Sequence, residues 1–197
     1  QTAFGQAHWQ QQWQRLSMFA AAKYNWQTSQ YTDIGGQYPG GALHQNYWQR
    51  EAYATAGAAL HLTAWLQAAY TTDYSHASQN NNLPTDRAVS RDTWLQALAL
   101  QLHTARWQLM ARGILHCYWN HMRHGTAAAN AQRLTPSLTA SYLAVRAPLW
   151  LYLRAGYKES FRMPTFTENY YYHLGSATLK PELTRQLSAG LTMQAAP

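Results

Sequence analysis

The chain has 197 residues, of which 47% are hydrophobic and only 12% charged, about half the charged share usual in a soluble domain. Aromatic residues reach 14%, with 9 Trp and 14 Tyr against 4 Phe, an excess of amphipathic rings that suits a boundary between apolar and polar surroundings. This composition excludes disorder, the single Cys excludes a disulfide scaffold, no run approaches the ~20 apolar residues of a spanning helix, and the net charge of +7 is too scattered for a nucleic-acid patch.

Alternation with a period of two begins at once. The chain opens mid-pattern at Gln1 without an initiator Met, so the native N-terminus is expected elsewhere. Thr2–Trp13 is the first candidate strand. Leu16–Ser29 is the clearest: Leu16, Met18, Ala20, Ala22, Tyr24 and Trp26 fall on one side, while Ser17, Lys23, Asn25 and Gln27 fall on the other with Phe19 and Ala21. Trp48–Leu60 follows. Ala64–Tyr74 then sets Leu66, Ala68 and Tyr70 against Gln67, Thr71 and Asp73. Trp94–Met110 is rich in Leu and Ala, which favours a helix. Its polar residues settle on no helical face, so it is read as two strands, Trp94–His103 and the start of Trp107–Asn120. Leu134–Val145 and Leu149–Phe161 come next, the latter with Leu151, Leu153 and Tyr157 opposite Arg154, Lys158 and Ser160. Leu183–Gln194 closes the series, with Leu187, Leu191 and Met193 against Gln186, Ser188 and Thr192.

The connections alternate in length. Short turns are expected at Gln14–Arg15, His61–Leu62, Ala105–Arg106 and Arg146–Pro148, and long polar links at Tyr31–Tyr47, Ser75–Thr93, His121–Arg133 and Arg162–Glu182. Long loops at one end and tight turns at the other describe a transmembrane β-barrel. Trp9, Trp13, Tyr24, Trp26, Tyr70, Tyr74, Trp119 and Tyr157, near strand ends, fit its interfacial girdles. Nine strands are an odd number, and lipid forbids open strand edges. The expected fold is therefore all-β: an antiparallel barrel segment, residues 1–197 forming part of a larger barrel.

Phe161-Arg162-Met163-Pro164-Thr165-Phe166, a tyrosine soon after, and Leu179-Lys180-Pro181-Glu182 at the head of the next strand resemble the barrel of TonB-dependent outer-membrane receptors. Ser176-Ala177-Thr178 stand where that family has Asn-Pro-Asn. The specific likeness covers about Leu149 to Met193. It implies a 22-stranded barrel around an N-terminal plug, with this chain an interior portion that lacks the plug. It also implies energy delivered by the TonB complex and a scarce nutrient as cargo: ferric siderophore, cobalamin or haem. The implied partners are the plug, TonB, outer-membrane lipid and lipopolysaccharide, with a surface lipoprotein as an optional addition.

Arg154 and Lys158 fall on the lumen parity and are expected to face the plug. Arg162 shares that parity, and its fork suits a carboxylate of plug or ligand. Tyr170, Tyr171, Tyr172 and His173 lie between the two boxes, and Tyr31, Tyr38 and His44 enrich the first long link. These seven residues and Arg162 form the expected ligand-binding set. Haem-uptake members of the family place an iron-binding His between equivalent boxes, so the resemblance implies His173 as a haem ligand, haem being cargo and not a resident cofactor. His116 and Cys117 face opposite ways on a strand, and with His121 and His124 they make no metal site. Cys117 is expected on the lipid face. No hydrolase, metalloprotease or Walker motif occurs, so no enzymatic activity is expected. Two alternatives stay open: a passive porin-like or adhesin barrel, and a soluble β-sandwich that binds carbohydrate.

Overall fold

The alternating segments all form strands in the computed structural model, which describes residues 1–34, 43–82, 88–170 and 175–195. The strands are β1 (Thr2–Gln12), β2 (Leu16–Asp33), β3 (Leu43–His61), β4 (Leu66–Asn81), β5 (Val89–His103), β6 (Trp107–Met122), β7 (Ala131–Arg146), β8 (Leu149–Arg162) and β9 (Glu182–Ala195). A short helix, α1 (Phe166–Tyr170), lies between β8 and β9. The strands join in chain order into one antiparallel sheet, and β1 and β9 are its two edges. The disputed stretch Trp94–Met110 is the end of β5, a tight turn and the start of β6, as the alternation required.

Continuous registers carry the two-sided pattern across the sheet. Met18 pairs with Ala58, Ala58 with Tyr70, Tyr70 with Leu98 and Leu98 with Gly113, so one row of residues shares one face. Met18, Tyr70, Leu98, Leu100, Leu138 and Leu187 all stand on that face and all are exposed, Leu187 at 87%. A contiguous apolar surface of this size needs an apolar surrounding. The opposite face carries Lys23, Asp73, Gln101, Arg112, Arg154 and Lys158. There the Tyr53 hydroxyl donates to Asp73.

Aromatic residues band the apolar face at two heights. Trp13, Trp65 and Trp107 lie at the short turns, where Trp107 packs 4.5 Å from Tyr142. Tyr74, Trp94 and Trp119 form the upper band. Trp107 and Trp119, on the same side of β6, are about 40 Å apart along an extended strand, or about 30 Å across a layer at ~40° tilt. That is the hydrocarbon thickness of a bilayer. Asp92, also on this side, sits level with the upper band, where Tyr74 donates to it at 2.7 Å and His76 lies 2.8 Å away.

Two expectations change. The long links at Tyr31–Tyr47, Ser75–Thr93 and His121–Arg133 are shorter than expected, because β2 runs to Asp33, β3 starts at Leu43, β4 runs to Asn81, β5 starts at Val89 and β7 at Ala131. These strand ends carry polar side chains on both faces, so hydropathy shows no alternation, yet the backbone ladder persists without an apolar side. The link after Arg162 contains α1, which the strand pattern did not anticipate. Its signal was present: Thr165 and Glu168 have capping-box spacing.

Candidate ligand-binding site

The two sequence boxes meet in space. β8 ends at Arg162 and β9 begins at Glu182, and these two residues are register partners. Arg162 donates to both carboxylate oxygens of Glu182, at 2.9 and 3.0 Å, and to both of Glu168 on α1, at 3.0 and 3.1 Å. One planar fork thus grips a strand and a helix at once. Thr165 caps α1: its hydroxyl accepts from the Glu168 N–H at 3.2 Å, and its own N–H donates to Glu168 at 2.7 Å. Glu168 lies outside the strands. The Arg162 guanidinium, then the Thr165 N–H and hydroxyl, hold its carboxyl at about 2. Arg162, expected at a ligand, is engaged here in positioning α1.

This latch lays α1 across the polar face of the sheet at the loop end. The Tyr170 hydroxyl accepts from the Ala128 N–H at 2.7 Å, tying α1 to the β6–β7 connection. Asn120 holds that connection too: its side-chain amide donates to Ala129 O at 2.9 Å and its backbone N–H donates to Asn130 Oδ1 at 2.7 Å. Phe166 rests on the Arg91 guanidinium, 5.2 Å from ring centroid to Cζ.

Beneath α1 is a cavity of about 250 Å³, whose walls include Tyr31, Gln45, Tyr47, Gln79, Phe166 and Tyr170. The strand residues that line it come almost wholly from polar-face positions of β2, β3, β4 and β5. Gln45 is 3% exposed and accepts from the Tyr47 hydroxyl at 2.8 Å. Aromatic walls and fixed amides give such a cavity both stacking surface and hydrogen-bonding groups.

The structure therefore brings together Tyr31 and Tyr170 from the expected set. His44 is one residue from Gln45 but on the opposite face of β3, paired with Thr32 at 3.2 Å. Tyr38, Tyr171, Tyr172 and His173 lie outside the described residues. Arg154 and Lys158 are exposed on the polar face of β8, well below the cavity; Arg154 lines a separate depression of about 580 Å³ with Gln101, Ser141 and Ser188. Sequence reading missed Gln45, Gln79 and Phe166, since only pairing and the fold of α1 bring them together. His116 and Cys117 point to opposite faces as expected, His116 meeting Thr135 at 2.9 Å. No group of three or more His, Cys, Asp or Glu among the described residues is arranged for a metal ion.

A second cluster stitches β7, β8 and β9. The ladder between β7 and β8 stops at Ser137 and Lys158, next to Pro136, which has no N–H to offer. Above that point Glu159 accepts from Arg133 at 2.8 Å and from Arg185 at 3.0 Å, so side chains replace the missing ladder.

Comparison with curated protein sequences finds no match. The family model described as TonB dependent receptor-like, beta-barrel matches residues 2–196, the entire sheet. Its span, the two-faced antiparallel sheet and the joined boxes agree, and the chain belongs to the TonB-dependent receptor-like β-barrel family.

Proposed function

We propose that this chain is part of an outer-membrane receptor that binds a scarce nutrient in its extracellular mouth and imports it with energy supplied through TonB. The family match over residues 2–196 carries the receptor role and the outer-membrane setting. The apolar face then meets lipid and lipopolysaccharide, and the polar face surrounds a plug. Arg154 and Lys158 are available to that plug on the open polar wall. The cavity under α1 is the part of the mouth that first meets the solute.

Siderophore, cobalamin and haem are the cargo classes proposed. For haem the chain offers His173, whose neutral imidazole would serve as an axial ligand to the iron of the cargo. Titration of the complete receptor with haemin tests this: His173→Ala is expected to abolish the Soret shift, and an unchanged shift removes the assignment. The receptor reading itself is tested by deleting the native gene and following growth on each cargo as sole iron or cobalamin source. The expected result is a growth defect that is reproduced by loss of TonB. Growth independent of both favours a passive barrel.

A further inference from the structure

A second hollow adjoins the cavity under α1. It measures about 220 Å³, and its walls include Asn25, Gln49, Glu51, Thr165, Phe166 and Thr167. Gln49, Phe166 and Thr167 also line the first cavity, so the two share one wall. Register explains the neighbourhood. Asn25 pairs with Glu51 across β2 and β3, and Gln49 pairs with Gln79 across β3 and β4, all at polar-face positions. Together the hollows reach the lower end of the ~300–1,000 Å³ usual for small-molecule pockets.

The chemistry of the lining is selective. Tyr31, Phe166 and Tyr170 supply rings, and Asn25, Gln49 and Asn81 supply carboxamides. The contact groups are reachable: Tyr31 is 49% exposed, and Gln49, Glu51 and Thr167 are exposed as well. Among the described residues, Glu51 is the one charged side chain that either wall draws from the polar face. Arg50 borders the second hollow, but its position pairs with Trp26 and belongs to the apolar face. No cation among the described residues lies within ion-pair distance of Glu51. An anionic solute would therefore meet a carboxylate and no counter-charge, which is costly. A cationic solute fares little better among the rings, since that cavity holds no carboxylate and Phe166 already lies 5.2 Å from the Arg91 guanidinium. Neutral hydroxyls suit both walls. A carboxamide donates and accepts at once, as a hydroxyl does, and a carboxylate accepts from hydroxyls. Ring faces take the C–H side of the same molecule.

We infer that the two hollows under α1 form a subsite for a neutral, hydroxyl-rich ring, that is, a sugar. Its C–H face stacks against Tyr31 and Phe166, and its hydroxyls exchange hydrogen bonds with Asn25 and Gln49. Glu51 accepts from hydroxyls and turns sugar acids away. This deepens the receptor reading and rests on it for the route by which the solute arrives.

The test uses the complete outer-membrane protein in a polyoxyethylene detergent, which carries no sugar of its own. It is titrated calorimetrically with the methyl glycosides of glucose, galactose and mannose, with methyl glucuronide and with glucosamine. At least one neutral glycoside is expected to bind about tenfold more tightly than either charged analogue, the charge being desolvated there without a counter-ion. Tyr31→Ala is expected to weaken that binding about tenfold, and the isosteric Glu51→Gln to narrow the gap to methyl glucuronide. Gln101→Ala, in the separate depression lower on the polar face, is expected to change neither. Binding of no neutral glycoside, or charged analogues bound as tightly as the best of them, overturns the inference without any variant. So does a folded Tyr31→Ala that binds unchanged, or a Glu51→Gln that discriminates as before. TonB-dependent growth without sugar binding leaves the receptor reading standing and removes the subsite. Sugar binding without TonB-dependent growth does the reverse.

Discussion

Arg162 shows how a residue can hold a mouth together. Its fork spends its donors on Glu182 and Glu168, so the first box clamps both the second box and α1. Replacing Arg162 with Ala is expected to raise amide exchange across Phe166–Tyr170 while leaving exchange in β8 unchanged. Lys, a point donor, should recover only part of the protection. Acid should act on the same latch. Glu168 has its carboxyl at about 2 in the fold against an ordinary 4.5, so its contribution is fully present above pH 4.5 and is lost as pH falls through about 2. Protection of the α1 amides, taken relative to the intrinsic exchange rate at each pH, should fall over that window, and Glu168→Gln should reduce the pH dependence, leaving the part that Glu182 contributes on the same fork. Gly57 is a second telling residue. A Cβ there would stand 2.5 Å from the Phe19 ring and 2.7 Å from Thr71. This explains why Phe19 sits on the polar face against the alternation: its ring covers a glycine. Gly57→Ala should destabilise by about 1–3 kcal/mol, the range for overpacking, as read from urea unfolding in bilayers.

Strands obey the bilayer before they obey propensity. Leu98 lies at mid-height on the apolar face of β5 and is 55% exposed. Leu98→Arg should cost ~2–4 kcal/mol in insertion, and Leu187→Arg should act likewise, whereas Gln101→Arg or Gln186→Arg on the polar face should be mild. Folding yield in lipid vesicles reads the difference, and equal losses from the two faces would refute the facing assigned here. The limits of sequence reading also appear at this scale. Alternation located every strand where one face was apolar, and failed at the ends of β2 to β5, where Gln, Thr and Asn occupy both faces. α1 was legible only through Thr165 and Glu168, because five residues are too few to show a helical period.

At the scale of the whole sheet, the edges decide behaviour. β1 and β9 each present an unpaired strand edge, and lipid leaves no water to satisfy it. The 197-residue chain alone in detergent is therefore expected to self-associate through these edges, seen as a mass well above 22.4 kDa by light scattering. A monodisperse monomer would show that the edges are closed by other means. The sequence by itself determined the two-faced sheet, its strand order and its membrane setting. Period-two hydropathy and turn spacing are local properties, and a sheet with neighbour-to-neighbour pairing adds nothing to them. Tertiary structure decided the site. Tyr31, Gln45, Gln79 and Phe166 come from separate segments, and only strand register and the Arg162 latch bring them around one cavity. The setting of Glu51, beside that cavity and without an ion pair among the described residues, is likewise a property of packing and not of any stretch of chain.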